Sequence, residues 1–137
     1  MTKVIINHHT VEYWETDQMG IVHHSNYIKW FESARTNFLK KIDYPYDKME
    51  DDGFWLPVYN VEAKYLKPAR FGDDVFIETS ISELSRIKIV IKYVVKNRQD
   101  EVISVGKTTH PVTDPTLKIV KLDQEMYSRL ENYLESN

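Results

Sequence analysis

Two hydrophobic periods divide the chain. Over residues 26–42 the bulky side chains Tyr27, Trp30, Phe31, Ala34, Phe38 and Leu39 recur at steps of three and four. That spacing places them on one stripe of an α-helix. From Phe54 onward the period becomes two. Tyr59, Val61, Ala63 and Tyr65 share one strand face, and Val75, Ile77, Thr79 and Ile81 share a face of the next. Ile87, Ile89, Ile91, Tyr93 and Val95 form the cleanest run, with Lys88, Lys92 and Lys96 opposite. Successive strand residues point to opposite sides, so each run predicts a sheet with one covered face. Residues 97–100 make a turn and residues 102–112 the last long strand, which Pro111 ends at an edge or bulge. Residues 4–13 read as a first strand with imperfect alternation. Residues 123–135 read as a second helix, capped by Asp123, with Met126, Leu130 and Leu134 four apart.

The segments between these elements set their limits. Residues 15–24 are polar and include the Met19-Gly20 turn, so they form a loop. Ser25 or Asn26 caps the long helix by accepting from a first-turn amide. Its wide stripe predicts cover on most sides. Asp43-Tyr44-Pro45 stops it, since proline disfavours helical angles in the residue before it. Residues 46–53 are acidic and allow one short helical turn, and Pro68 and Gly72-Asp73 part the second strand from the third. The order is strand, helix, four strands, helix. The fold class is α+β, an antiparallel sheet of about five strands wrapped around one central helix, plus a C-terminal helix.

Composition narrows the function. A chain of 137 residues without repeats or linkers reads as one domain over residues 1–137. A net charge of −3 argues against duplex nucleic acid, whose phosphates need a basic face. The absence of cysteine removes disulfides, thiol catalysis and thiolate zinc sites together. No apolar run reaches the length of a signal peptide or a membrane span, so the expected location is the cytoplasm.

The chemistry concentrates in residues 13–35, YWETDQMGIVHHSNYIKWFESAR. A helix N-terminus presents unpaired amides and about half a positive charge, which polarises a carbonyl and stabilises an oxyanion. Asp17, a few residues upstream, offers a nucleophile or a base for water. Taken alone, Asp17 also reads as a turn acid satisfying loop amides. Other chemistries fit worse. His8 and His9 are adjacent on a strand and point apart, so they do not share a metal. No H-E-x-x-H or G-x-S-x-G pattern exists, and the four glycines form no phosphate-cradling loop. No metal site is expected.

The run Thr16-Asp17-Gln18-Met19-Gly20-Ile21-Val22-His23-His24-Ser25-Asn26-Tyr27, followed by Trp30-Phe31-Glu32-Ser33-Ala34-Arg35, resembles the hotdog-fold acyl-CoA thioesterases of the 4-hydroxybenzoyl-CoA thioesterase / YbgC-like branch. Residues 65–73, YLKPARFGD, and 106–110, GKTTH, extend the likeness. The resemblance implies a homodimer or homotetramer with active sites at subunit interfaces. It implies that Asp17 is the catalytic acid and that the His24 backbone amide polarises the thioester carbonyl. Tyr13, His23, Asn26 and Tyr27 become pocket walls or positioners. Lys67, Arg70, Arg86 and Lys88 become candidates for the CoA phosphates, which arginine grips with a fork and lysine with a point charge. Glu32 is a reserve acid, because a sister branch uses a helix glutamate. Otherwise Glu32 and Arg35, three apart, read as an ordinary surface pair. The implied substrate is an acyl-CoA or an acyl-carrier-protein thioester, with CoA a part of the substrate and no separate cofactor. The alternative is a non-catalytic hotdog module that binds acyl-CoA or acyl carrier protein.

Overall fold

Alternation turns into sheet wherever one face meets the long helix. The computed structural model describes residues 3–135. Its elements are β1 (Ile5–Thr10), a 3-10 turn (Tyr13–Glu15), α1 (Ser25–Lys41), α2 (Tyr46–Asp51), β2 (Asn60–Tyr65), β3 (Asp74–Leu84), β4 (Lys88–Lys96), β5 (Val102–Pro111) and α3 (Gln124–Glu131). The five strands form one antiparallel sheet in the order β1-β3-β4-β5-β2. Val75, Ile77, Thr79 and Ile81 of β3 and Ile89, Ile91, Tyr93 and Val95 of β4 are all buried. They meet Tyr27, Trp30, Phe31, Ala34, Phe38 and Leu39 of α1.

Gly106 sets how close α1 sits to the sheet. A Cβ there would lie 2.4 Å from the Phe31 ring and 2.9 Å from the Glu62 carbonyl oxygen. Phe31 therefore rests on bare β5 backbone and stacks on Tyr93 with centroids 4.6 Å apart.

Several expectations shift. β1 stops at Thr10, and the chain tightens into the 3-10 turn instead of continuing as strand. Ile87 lies exposed in the β3–β4 hairpin. Helix α1 is open along one side, where Ile28, Lys29, Glu32 and Ser33 are exposed. Asp123 caps α3 through the Met126 amide at 2.8 Å. That helix ends at Glu131, and the chain after it hydrogen-bonds to Ile81 of β3. The face of β2 carrying Val61 and Tyr65 is exposed, and β2 pairs on one side only.

The largest correction is Arg35. It does not pair with Glu32 at the surface. Only 7% of it is exposed, its Nε donates to the Tyr46 hydroxyl at 2.7 Å, and its Nη1 donates to the Tyr93 hydroxyl at 3.2 Å.

Candidate active site

The loop before α1 is a small hairpin. Thr16 bridges to Val22, the Asp17 amide donates to the Ile21 carbonyl at 2.8 Å, and the Gly20 amide donates to the Asp17 carbonyl at 2.9 Å. Gly20 takes φ +78°, the left-handed region open to glycine at little cost. The Asp17 Oδ1 accepts the Met19 amide at 2.8 Å, so the turn role expected of this acid is filled by one oxygen.

Below the hairpin sits Glu15, 2% exposed. Its Oε1 accepts from the Glu12 amide and pairs with His9 Nε2, each at 2.8 Å, and its Oε2 accepts from Trp30 Nε1 at 2.7 Å. Burial works against the charge, but these hydrogen bonds outweigh it and hold the carboxyl below the usual glutamate range. The Glu15 carbonyl accepts from the His23 amide and from Asn26 Nδ2, both at 2.9 Å. Asn26 is thus a buried strut between the hairpin and the helix, not a helix cap.

The helix mouth has its own arrangement. His24 is the N-cap residue and makes no side-chain cap bond. The Ser25 amide donates to His23 Nδ1 at 3.2 Å. That nitrogen is therefore an acceptor, and in the neutral ring Nε2 carries the proton. The amides of Asn26 and Tyr27 donate to the carbonyls of His23 and His24. The His24 N–H has no hydrogen-bond partner among the described residues.

Two backbone contacts close the site. The Val22 amide donates to Ala69 O at 2.8 Å, and Ile21 bridges to Arg70. They draw residues 65–68 across from the helix mouth. The result is a cavity of about 400 Å³ whose walls include Asp17, His23, His24, Tyr27, Tyr65 and Lys67. Asp17 and His24, the residue with the open amide, line one space. Burial, with help from nearby Tyr65, raises the Tyr27 phenol above its ordinary value, so it stays neutral and protonated.

The other candidates lie elsewhere. Tyr13 is 73% exposed and meets Phe71 edge-on, outside the cavity. The Lys67 ammonium is ion-paired with Glu101. Arg70 is exposed just beyond the rim. The Arg86 Nε donates to Leu122 O at 2.6 Å in the β3–β4 hairpin, and Lys88 is the first residue of β4. Tyr65 lies in register with Ser104 and Val95, near the other end of β4. At about 3.3 Å per residue, Lys88 is more than roughly 20 Å from the cavity within the chain. Glu32 sits on the exposed side of α1, away from it. Glu15 and the wall residue Tyr65 have no place among the expected site residues, although Tyr65 stands in one of the matching motifs.

The model of the thioesterase-like superfamily matches residues 11–130. Among curated relatives, the acyl-CoA thioester hydrolase YbgC of Escherichia coli O157:H7 is 25% identical over 105 residues, covering 77% of this chain and 78% of that protein. Among solved structures, a hypothetical protein from Aquifex aeolicus superposes with a TM-score of 0.86 at 35% identity, covering 92% of this chain and 98% of the other. The DHNA-CoA thioesterase from Staphylococcus aureus gives 0.84 at 31% identity, covering 95% and 88%.

Proposed function

The chain belongs to the thioesterase-like superfamily and has the hotdog fold of its thioester hydrolases, and from that premise we propose that it hydrolyses an acyl-CoA to the free acid and CoA, with Asp17 and the His24 amide as the working pair. One observation carries the proposal. Asp17 and His24, whose N–H has no partner among the described residues, both line one cavity. A thioester carbonyl set at the helix mouth accepts from the amide, which stabilises the oxyanion as it forms. Asp17 then acts in one of two ways. As a base it takes a proton from water, whose oxygen bonds the carbonyl carbon; the C–S bond breaks, and the thiolate leaves and takes up that proton. As a nucleophile it bonds the carbonyl carbon, the C–S bond breaks and the thiolate leaves, and water then opens the acyl-aspartyl anhydride to the free acid and the Asp17 carboxylate, its released proton going to the thiolate. Neither route requires a cofactor.

The bare edge of β2 supports a paired enzyme. Tyr59, Val61, Tyr65 and Leu66 are exposed beside it, and an unpaired strand edge is a template for a second copy. A two-fold axis through β2 sets Asn60 of one copy opposite Tyr65 of the other. Residues 55–59 of the second copy then approach the cavity wall at residues 65–68. Arg70, exposed beyond the rim, reaches the CoA phosphates from the same chain, Lys67 stays paired with Glu101, and Arg86 and Lys88 reach the phosphates only from another copy. No helix among the described residues is long and apolar enough to cross a membrane, and a CoA substrate with a cysteine-free chain suits the cytoplasm.

Asp17→Asn is the direct test. Asparagine Oδ1 still accepts the Met19 amide, so the turn is kept and only the charge is lost. We expect kcat, measured by thiol release from acyl-CoA, to fall by about 10²–10⁴-fold, the usual worth of a general base. Acyl-CoA affinity should stay within about twofold by calorimetry. Unchanged turnover rejects Asp17 as the working acid, and a parent protein that binds acyl-CoA without releasing thiol leaves a binding module.

A further inference from the structure

Arg35 is buried between helix and sheet, and among the described residues no carboxylate lies within ion-pairing distance of it. Its partners are two phenols, and one of them starts a longer chain. The Tyr93 hydroxyl lies 2.7 Å from Thr108 Oγ1, which lies 2.8 Å from His110 Nε2. On the far side of the ring, His110 Nδ1 lies 3.2 Å from Leu56 O. Tyr93, Thr108 and His110 are each at most 1% exposed.

The two ends fix the direction of every bond. A carbonyl only accepts, so His110 Nδ1 carries a proton. Burial first, and then the charge of Arg35, push the His110 pKa down to about 4, so the ring is neutral and Nε2 is bare. Thr108 therefore donates to Nε2, and Tyr93 donates to Thr108. The Tyr93 oxygen is left to accept from Arg35, which only donates. The chain runs one way, from guanidinium to carbonyl.

What it reaches is an interruption in the ladder. The Tyr59 amide donates to Thr109 O at 2.8 Å, and Trp55 pairs with Thr113 through both backbone bonds. Between these points Leu56, Pro57 and Val58 make no backbone hydrogen bond among the described residues. They form an arch off β5, and the His110 ring is what holds its Leu56 carbonyl.

We propose that Arg35, acting through Tyr93, Thr108 and His110, is a positioning residue for substrate: it sets the height of the 56–58 arch, which in the paired enzyme walls the acyl end of the neighbouring copy's cavity. This rests on the two-copy reading above. Arg35 itself touches no reacting atom.

The test is made at Thr108, where one methyl replaces one hydroxyl. Thr108→Val breaks the chain without changing volume, and Thr108→Ser keeps the hydroxyl. In the full-length enzyme, Thr108→Val should raise KM for octanoyl-CoA about tenfold, roughly one hydrogen bond's worth. KM for acetyl-CoA, which does not reach the arch, should stay within about twofold, with kcat unchanged for both. Thr108→Ser should restore the octanoyl value. Nitrogen-15 spectra should show His110 protonated at Nδ1 in the parent, with the Nε2 resonance displaced in Thr108→Val and returned in Thr108→Ser. An equal change in KM for both esters, no change, or no rescue by serine overturns the positioning role. A parent His110 protonated at Nε2 overturns the chain itself. Sedimentation of the parent separates the premises: a monomer that hydrolyses both esters removes the two-copy reading and this inference with it. A paired, active enzyme whose acyl selectivity ignores Thr108 removes the inference alone.

Discussion

Helix α1 is pinned to the body of the protein at two places, each by one buried charge, and the two are built on opposite plans. Near its N-terminus Glu15 gathers donors: an indole, a backbone amide and an imidazole. Twenty residues later Arg35 spends its charge on two phenol oxygens and, among the described residues, has no acid within ion-pairing distance. Each N–H facing Glu15 has that carboxylate as its partner, so removing it strands several buried donors at once. The hydroxyls facing Arg35 do not depend on it equally, since Tyr93 still has Thr108. A buried charge is thus structurally necessary in proportion to what it leaves unpaired, not to the size of its own charge.

The comparison is broken most easily at its stronger end. Glu15→Ala should lose roughly 3–5 kcal/mol in urea unfolding, because buried donors on Trp30 and Glu12 lose their acceptor. The same residue carries a pH signature. Its folded pKa lies below the ordinary 4.5, so its contribution is present above about pH 4.5 and is lost as pH falls through the folded value. Glu15→Gln should flatten that acid limb of the stability profile; an unchanged limb would deny that the carboxylate is held ionised. Arg35→Met, close in volume, should cost no more than about 1–2 kcal/mol, and a loss as large as that of Glu15→Ala would erase the distinction. Thr79 gives the smallest effect and the limiting case. Its hydroxyl is buried on the inner face of β3 with no partner among the described residues. Thr79→Val should leave stability unchanged or raise it by up to about 1 kcal/mol, read as a higher Tm.

Much of the fold was legible because its signals are local. The alternation of Ile89, Ile91, Tyr93 and Val95 survives in the structure, since that face of β4 is buried in the same core as α1, with Tyr93 stacked on Phe31. Asp17, Gly20 and His24 fall within one short run, so nearby sequence could bring an acid to a helix mouth. The far wall at residues 65–68 arrives by pairing across the molecule, and only the motif resemblance pointed to it. Charge misled the reading of Arg35. Its position, one turn after Phe31 and one residue after Ala34, lies inside the buried arc, and periodicity outweighed residue type. His110 and Thr108 carry a similar signal, sharing the parity of Gly106 and Ser104 on the covered face of β5. Glu15 had none, because a three-residue 3-10 turn sets no period. Arg86 and Lys88 were linked to the site by family likeness, and their distance from it reflects strand length, which a motif does not encode.

The two oxygens of Asp17 divide their labour. Oδ1 is fastened to the Met19 amide, and Oδ2 has no partner among the described residues. With one oxygen tethered, the torsions of the side chain are frozen before any ligand arrives, and the remaining lone pairs point along a fixed bearing. On the mechanism proposed above, that rotational freedom would be surrendered during folding rather than in each catalytic cycle, so a turn that looks merely architectural would also aim the acid.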